Sequence, residues 1–253
     1  MPLSYVGFCG ADDSVDASLL GAISIKYPFV EWGVLFRPDK ECTPRYASMS
    51  WVSSSLHPVW RRCNGSMRLA AHLCGTRVND VLAGSDAFIK DLAALGFRRF
   101  QINATAVNGV DTSDLAGKVP NVLCVMSANR SLTFIIQRSA ETAPLWEGLL
   151  SACGGALPPN CVMLFDESKG TGVSPDGGLG DVPERYDVGY AGGIGPRNVK
   201  EVVKAALERA GERTVWIDME SSLRTVIEGT DTFDVNKCFK CIRAVCEMNL
   251  FEL

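Results

Sequence analysis

The sequence predicts a single (β/α)8 TIM barrel, and three observations support this fold class. A β-rich run, a polar loop and a helical pattern recur along the chain, with strand starts about 25 to 37 residues apart, which fits one βα unit each. Eight such runs fill 253 residues, a length at which barrels form one unit. No linker rich in Gly, Pro or Ser interrupts the chain. We therefore expect one domain over residues 1–253.

The predicted strands are short apolar runs bounded by polar loops. They cover Leu3–Phe8, Val30–Phe36, Met67–Leu73, Phe97–Ile102, Leu132–Gln137, Cys161–Phe165, Tyr186–Tyr190 and Thr214–Ile217. Helical patterns lie between them, at Val15–Ile25, Ser85–Leu95, Pro144–Cys153 and Asn198–Ala210. The run Asn121–Met126 is as apolar as Leu132–Gln137, and only one of them can be the fifth strand. We prefer the second, because it directly precedes the helix at Pro144, and we assign the first to the fourth helix.

Composition and charge exclude several classes of protein. Apolar residues make up 47% of the chain and charged residues 21%, which excludes a disordered or low-complexity protein. The formal net charge is −4 with both signs spread along the chain, so we expect no nucleic-acid partner. No apolar run approaches the length of a membrane span, and the first residues carry no secretory signal. We expect neither a membrane partner nor export.

The ten cysteines indicate a reduced, cytoplasmic protein. Four of them lie within or at the edge of apolar runs, where they behave as small buried hydrophobes: Cys9, Cys74, Cys124 and Cys161. Cys238, Cys241 and Cys246 resemble half of a metal site. No second pair or nearby histidine completes it, and their helical spacing predicts the inner face of the last helix instead.

Active sites of such barrels lie at the carboxyl ends of the strands. The polar residues at those predicted ends are Cys9, Arg37, His72 with Cys74, Gln101 with Asn103, Gln137, Asp166 with Glu167, Gly192 with Gly193, and Asp218 with Glu220. Strand alternation leaves the orientation of His72 open. A set this dense and polar favours a functional site over ordinary loop ends.

The segment from Tyr190 to Val199 is the clearest local signal. A strand leads into Gly192 and Gly193, and Pro196 stands where the first turn of a helix is expected. Glycines let the backbone approach an anion, and the free N–H groups at a helix start attract phosphate. The alternative is a tight turn that requires positive φ angles.

Asp166 and Cys9 are the candidate acid and base. Asp166 follows a five-residue apolar strand, and this partial loss of water suits it to donate a proton; the alternative is a carboxylate that caps its loop. Cys9 ends the first strand, close to the predicted phosphate site and to cationic side chains, where its pKa would be lowered. The alternative for Cys9 is a buried structural thiol.

Four segments together resemble phosphoribosylanthranilate isomerase, a barrel enzyme of tryptophan biosynthesis. They are Phe8–Gly10, Thr43–Tyr46, Phe165–Asp166 with the Gly170–Gly172 loop, and Gly192–Val199. They are similar to that family's Cys-Gly after strand one, its Ser-Pro-Arg-Tyr motif, its strand-six aspartate and its Gly-Gly-Leu-x-Pro-x-Asn-Val run. The resemblance spans nearly the whole chain.

This resemblance implies an aldose–ketose isomerase that rearranges an aminoaldose phosphate to an aminoketose without a metal or an organic cofactor. It implies that Asp166 protonates the ribose ring oxygen and that Cys9 takes the proton from C2. It further implies a phosphorylated sugar as the small-molecule partner. The residues expected to bind substrate are Arg45, which would hold the anthranilate carboxylate, Arg37, Gln101, Gly172, Gly192, Gly193 and Ser221.

Several positions depart from that family's pattern. Val6-Gly7 stand where the family has a lysine near the end of strand one, and Glu220 brings negative charge close to the predicted phosphate site. Arg224 or Arg197 is the candidate to offset that charge. Two alternatives therefore stay open: a relative that acts on a different sugar or sugar phosphate, and a barrel that only binds such a ligand.

Overall fold

A computed structural model of the protein describes residues 3–166, 179 and 186–251. Within these residues, eight parallel strands close into a barrel, each paired with the next along the chain and the last paired with the first. The strands are β1 (Leu3–Cys9), β2 (Val30–Phe36), β3 (Arg68–Leu73), β4 (Arg99–Ile102), β5 (Thr133–Arg138), β6 (Cys161–Phe165), β7 (Val188–Tyr190) and β8 (Val215–Met219). The predicted (β/α)8 TIM barrel is confirmed.

The strand boundaries follow the apolar runs of the sequence closely. Every strand begins and ends within two residues of its predicted position. The choice of the fifth strand is confirmed, since β5 covers Thr133–Arg138 and the competing run lies in a helix, Val119–Ala128. That helix buries Val122, Val125 and Met126 at helical spacing, which explains why its apolar content resembles that of a strand.

Helices surround the barrel in the part of the chain that the structure describes. They are α1 (Ala17–Lys26), α2 (Met49–Trp51), α3 (His57–Arg62), α4 (Thr76–Leu82), α5 (Ala87–Ala94), α6 (Val119–Ala128), α7 (Ala143–Ala152), α8 (Val199–Ala210) and α9 (Val235–Cys246). A π-helical turn, Val52–Leu56, joins α2 to α3. None of these helices is long and apolar enough to cross a membrane, as judged over the described residues.

The last helix, α9, buries two of its three cysteines against the barrel. Cys238, Cys241, Ile242 and Val245 are all fully buried, and their spacing places them on one face of the helix. The prediction that the cysteines form the inner face of the last helix is confirmed for Cys238 and Cys241, whereas Cys246 is only partly buried.

The barrel interior contains a buried ion pair. Arg99 Nη1 on β4 lies 2.7 Å from Glu31 Oε1 on β2, and both side chains are less than a tenth exposed. The guanidinium carbon of Arg99 also lies 4.6 Å from the ring centroids of Tyr5 and Trp216. Interiors of such barrels are usually filled by branched apolar side chains. Part of this barrel interior is instead occupied by an ion pair and two aromatic rings, which come from β1, β2, β4 and β8.

A β-hairpin follows the last barrel strand and is bound to the loop after β1. Its strands are β9 (Arg224–Ile227) and β10 (Thr230–Phe233), paired antiparallel. The buried Arg224 guanidinium donates to the Gly10 carbonyl at 2.7 Å and to carboxylate oxygens of Asp12 and Asp231, each at 2.8 Å. Arg224 therefore holds the hairpin against the mouth of the barrel.

Candidate active site

A cavity lies at the carboxyl end of the barrel, where the strand-end side chains meet. Its lining includes five of the residues assigned from the sequence: Gln101, Asp166, Gly192, Gly193 and Ser221. Neighbouring strand ends add four more side chains to it: His72, Gln137, Asp218 and Glu220. These polar groups come from six different strands or the loops after them, as expected for the active-site end of this fold.

Cys9 and His72 form a buried pair at this end of the barrel. The Cys9 Sγ atom lies 3.2 Å from Nδ1 of His72, and both residues are almost fully buried. Gly33 of β2 lies next to both residues. A Cβ atom at this position would lie 2.8 Å from His72 Nε2 and 2.9 Å from the Cys9 Cα. Glycine at position 33 is therefore what lets these two side chains meet. The orientation of His72 is settled as inward, toward the cavity.

The Cys9 thiol does not have the lowered pKa expected from the sequence. Burial raises its pKa well above the ordinary value, and the negative charges of Glu220 and Asp218 raise it further. The expectation assumed neighbouring cations, but carboxylates surround the thiol. Burial, together with the charge of Arg99, lowers the pKa of His72 to about 3, so its imidazole is neutral near pH 7.

Carboxylates dominate the electrostatics of the cavity. Burial raises the pKa of Asp218 well above its ordinary value, and the negative charges of Glu31 and Glu220 add to this effect. Burial also raises the pKa of Glu220, while the nearby Arg45 guanidinium opposes the shift. The Glu220 side chain keeps about a third of its surface exposed (34%). Screening by solvent therefore makes its pKa shift smaller than that of Asp218. The cavity is therefore acidic.

Replacing Asp218 by asparagine should stabilise the protein near neutral pH. A carboxyl group whose pKa is raised in the folded state favours folding below its unfolded-state pKa and loses that contribution as the pH rises through the folded-state value. Asp218→Asn removes the charged form, so its melting temperature in EDTA buffer should exceed that of the wild type at pH 8. The expected rise is ~2–4 °C for each kcal/mol gained in the free energy of unfolding.

The gain for Asp218→Asn should shrink toward pH 4, where the wild-type carboxyl is also neutral. Asp91→Asn, at an exposed position of α5, is the matched control and should give no such gain. A melting temperature of Asp218→Asn below that of the wild type at pH 8 would contradict the assigned direction of the shift.

Asp166 is oriented by a glutamine on the neighbouring strand. Gln137 Nε2 on β5 donates to Asp166 Oδ2 at 3.1 Å. The other amide atom of Gln137, Oε1, is buried and has no hydrogen-bond partner among the described residues. A buried acceptor without a partner costs about 1–3 kcal/mol, and a donor group on a ligand in the cavity would satisfy it.

Gln101 lies in a hydrogen-bonded chain at the end of β4. Its Nε2 donates to Asn103 Oδ1 at 2.7 Å, and Asn103 Nδ2 donates to the Cys74 sulfur at 3.4 Å. All three residues are buried, and burial raises the pKa of the Cys74 thiol to about 12. Gln101 therefore faces the cavity with its position fixed by neighbours.

Arg45 lies beside Glu220 and Ser221 at the edge of the cavity, paired with carboxylates. Its Nε lies 3.1 Å from Asp231 Oδ2, and its Nη1 lies 3.2 Å from Glu220 Oε1. Nη1 also donates to Ser221 Oγ at 3.4 Å, and the Arg45 backbone N–H donates to Asp12 Oδ2 at 2.7 Å. A ligand carboxylate would have to replace one of these partners.

The two candidates to offset the charge of Glu220 differ in the structure. Arg197 is exposed and lies outside the cavity lining. Arg224 is bound to Asp12, Asp231 and the Gly10 carbonyl, yet its charge still opposes the rise in the pKa of Glu220. Arg224 therefore acts on Glu220 through its charge and not through a direct ion pair.

The glycine turn after β7 borders the cavity. Gly192 and Gly193 have φ angles of 93° and 67°, which confirms a tight turn with positive φ; anion binding there stays a prediction. The helix predicted at Asn198–Ala210 is confirmed to within one residue, since α8 begins at Val199. Pro196 precedes that first turn by three residues, because Asn198 Oδ1 accepts from the Gly195 N–H at 2.8 Å and closes an intervening turn. The amides of residues 192–195 are thus not helix-start amides.

One further predicted residue, Arg37, does not line the cavity. Arg37 lies between Asp39, at 3.1 Å, and the Val107 carbonyl, at 3.3 Å, and it is not part of the cavity lining. Gly172 lies outside the described residues. For Arg37 the signal in the sequence, a cation just after a strand, does not distinguish a ligand contact from a loop contact.

The sequence identified Gln137 and Asp218 only as polar residues at the ends of strands and assigned them no role. Each lies two residues or fewer from the end of an apolar strand, at β5 and β8, and strand alternation was the signal that could have assigned them to the interior.

The comparisons with known proteins bear on the fold. Phosphoribosyl anthranilate isomerase from Thermotoga maritima is similar at a TM-score of 0.54 and 14% identity, covering 96% of this chain and 98% of that chain. Phospho-2-dehydro-3-deoxyheptonate aldolase from the same organism gives 0.49 and 10%, over 98% of this chain and 69% of that chain. KGPDC from Streptococcus mutans gives 0.47 and 9%, over 97% and 98%.

No protein-family model matches the chain, and no curated protein matches it either. At 14% identity, the likeness to the isomerase shows a shared fold and nothing finer. The chain has the fold of TIM-barrel enzymes.

Proposed function

We propose that this barrel is an acid–base isomerase that converts an aldose-type sugar phosphate, with an aminoaldose phosphate as the first candidate, into the corresponding ketose. One observation carries the proposal: Asp166, oriented by Gln137 on the β5–β6 side, and His72, which contacts the Cys9 sulfur on the β1–β3 side, both line one cavity. Cys9 itself is almost fully buried and is not part of the lining. Opening a sugar ring and moving a proton from its C2 require an acid and a base on different sides of one substrate.

In this mechanism Asp166 gives its proton to the ring oxygen, and Cys9 takes the proton from C2. The imidazole of His72, whose Nδ1 lies 3.2 Å from the Cys9 sulfur, orients the thiol. Cys9 accepts the C2 proton as the thiolate, which forms when the thiol proton leaves to solvent. Its raised pKa makes this thiolate a strong base and leaves only a small fraction of it ionised near pH 7.

The unpartnered amide oxygen of Gln137 supports a hydroxyl-bearing substrate. A sugar hydroxyl donates one hydrogen bond, and Gln137 Oε1 is a buried acceptor at the cavity wall. Gln101 lies on the next strand and offers a second amide to the same cavity. Amide side chains of this kind fix the orientation of a polyol without adding charge.

A second candidate function follows from the acidic lining. Asp166, Asp218 and Glu220 all face the cavity, and Arg45 is already paired. Like charges repel a phosphate dianion, so this lining favours a relative of the isomerases that acts on a sugar without phosphate or with an amino group. The chemistry of Asp166 and Cys9 is the same in both cases.

The deciding experiment is an assay of purified protein on phosphoribosylanthranilate generated in place, followed by loss of substrate fluorescence. Turnover that vanishes in Asp166→Asn supports the first candidate. Absence of turnover, together with isomerisation of an uncharged aldose or an aminosugar in a parallel panel, supports the second. No isomerisation of any member of the panel would reject both.

Replacing Glu220 by glutamine should strengthen phosphate binding at the Gly192–Gly193 turn. The change removes a negative charge from the same cavity and releases one partner of Arg45. We expect affinity for inorganic phosphate to rise roughly tenfold, which corresponds to ~1.4 kcal/mol.

The measurement for Glu220→Gln is the rise in melting temperature during a phosphate titration. Glu228→Gln, at an exposed position of the hairpin turn, serves as the control and should behave like the wild type. Equal phosphate responses of Glu220→Gln and wild type would remove Glu220 as the cause of weak anion binding.

A further inference from the structure

Three different donor groups converge at the mouth of the barrel from three strands. Cys9 on β1, His72 on β3 and Asp218 on β8 each offer one ligand atom, and these atoms all lie within 4.8 Å of one another. The sulfur and the Nδ1 nitrogen are 3.2 Å apart. Ligand atoms at ~2.0–2.3 Å from a shared ion lie at separations of this order, so only small side-chain adjustments are needed.

The nearby arginines form their ion pairs with carboxylates other than Asp218. Arg99 is bound to Glu31 at 2.7 Å, and Arg45 is bound to Glu220 at 3.2 Å. Asp218 has neither a hydrogen bond nor an ion pair among the described residues, and it is only partly buried at the cavity wall. A cation bound at this position would supply the partner that its carboxylate lacks.

Two glycines make room for the donors. A Cβ atom at Gly33 would lie 2.8 Å from His72 Nε2, and one at Gly7 would lie 2.3 Å from Asp218 Oδ1. Because these strands carry no side chain at those positions, the imidazole and the carboxylate can lean toward Cys9. Gly7 and Gly33 thus leave room next to β1 for the three donor groups.

We propose that Cys9, His72 and Asp218 bind one divalent transition-metal ion, with Zn²⁺ the best match to the donors. Thiolate, imidazole and carboxylate are the three ligand types that Zn²⁺ takes in proteins. His72 and Asp218 line the cavity, so the fourth position of a tetrahedral ion faces it and is open to water. A metal ion on the Cys9 sulfur would block its proton-accepting role, so the metal-bound protein is a form distinct from the proposed isomerase, and this inference goes beyond the proposed function.

Cobalt(II) is the probe, because thiolate coordination gives it charge-transfer absorption in the near ultraviolet. Protein treated with chelator and reductant, then titrated with Co²⁺, should develop this absorption to one equivalent. The band should vanish in Cys9→Ser, and Zn²⁺ should displace the cobalt. Binding by His72→Gln and Asp218→Asn should weaken by more than ~100-fold, since changes even to residues that only orient ligands cost about 10–100-fold.

Cys74→Ser is the matched control, because its thiol is buried at the same end of the barrel and lies outside the three-donor cluster. This variant should retain the band at full intensity. Loss of the band in Cys74→Ser with its retention in Cys9→Ser would overturn the assignment.

X-ray absorption on Zn²⁺-loaded wild type tests the same site without any substitution. One sulfur at ~2.3 Å with the remaining ligands nitrogen or oxygen at ~2.0–2.1 Å supports it. Two or more sulfurs would overturn it and point to the cysteines of α9. These measurements use no substrate, so they can succeed or fail independently of the isomerase assay.

Discussion

An Asp166→Asn variant should lose turnover of the substrate identified in the isomerase assay by about 10²–10⁴-fold, the usual contribution of a positioned acid or base. Asparagine keeps the size of the side chain and can still contact Gln137 Nε2 through its amide oxygen. It cannot give up a proton to a ring oxygen. The loss should therefore appear in kcat, with KM and the melting temperature changed little.

Asp111→Asn is the control for Asp166→Asn, since it makes the same chemical change at an exposed carboxylate in the loop after β4. It should turn over substrate at the wild-type rate. An Asp166→Asn protein within a factor of about three of wild type would eliminate Asp166 as the acid and leave it a loop residue.

Cys9→Ala should cause a loss of similar size, and the two losses should not multiply in the double variant if the groups act as one unit. The pH profile carries a further expectation. Because burial raises the pKa of Cys9, wild-type kcat/KM should continue to rise with pH through the range where an ordinary thiol has already ionised. A plateau reached below pH 7 would contradict Cys9 as the base.

The barrel was predictable from the sequence because its signal is local. Each strand is an apolar run. The run at 121–126 is as apolar as β5, and the order of elements, with Leu132–Gln137 directly before the helix at Pro144, assigned it correctly to a helix. The positions of Asp166, Gln101, Gly192 and Ser221 at the cavity followed from one rule, that strand ends meet at one face.

The electrostatics of the site were not predictable, because the groups that set it are far apart in sequence. Asp218 and Glu220 raise the pKa of Cys9 from about 210 residues away. The guanidinium of Arg45 meets Glu220 and Asp231 only after the hairpin has folded back over the mouth. Pro196 lies before the first turn of α8 for a different reason: the Asn198 side chain closes a turn between Pro196 and the helix, which the preference of proline for the first helical turn does not describe.

Arg99→Met should destabilise the protein by about 3–5 kcal/mol, the cost of leaving one member of a buried ion pair without its partner. Methionine keeps much of the side-chain volume, so little cavity forms. The Glu31 side chain, only 5% exposed, then loses its ion-pair partner while it stays buried. Loss of the contacts between the guanidinium and the rings of Tyr5 and Trp216 adds ~1–2 kcal/mol.

Urea unfolding distinguishes the contribution of the ion pair to stability from that of each side chain alone. Four proteins are compared: wild type, Arg99→Met, Glu31→Gln and the double variant. The double variant should recover most of the loss seen in Arg99→Met, because no buried charge is left unpaired. Lys200→Met is the control, since its ion pair with Glu247 is about half exposed on both sides and should be worth less than ~1 kcal/mol. If Arg99→Met costs no more than Lys200→Met, or if the double variant recovers nothing, then the Glu31–Arg99 pair is not what stabilises the barrel interior beneath the candidate site.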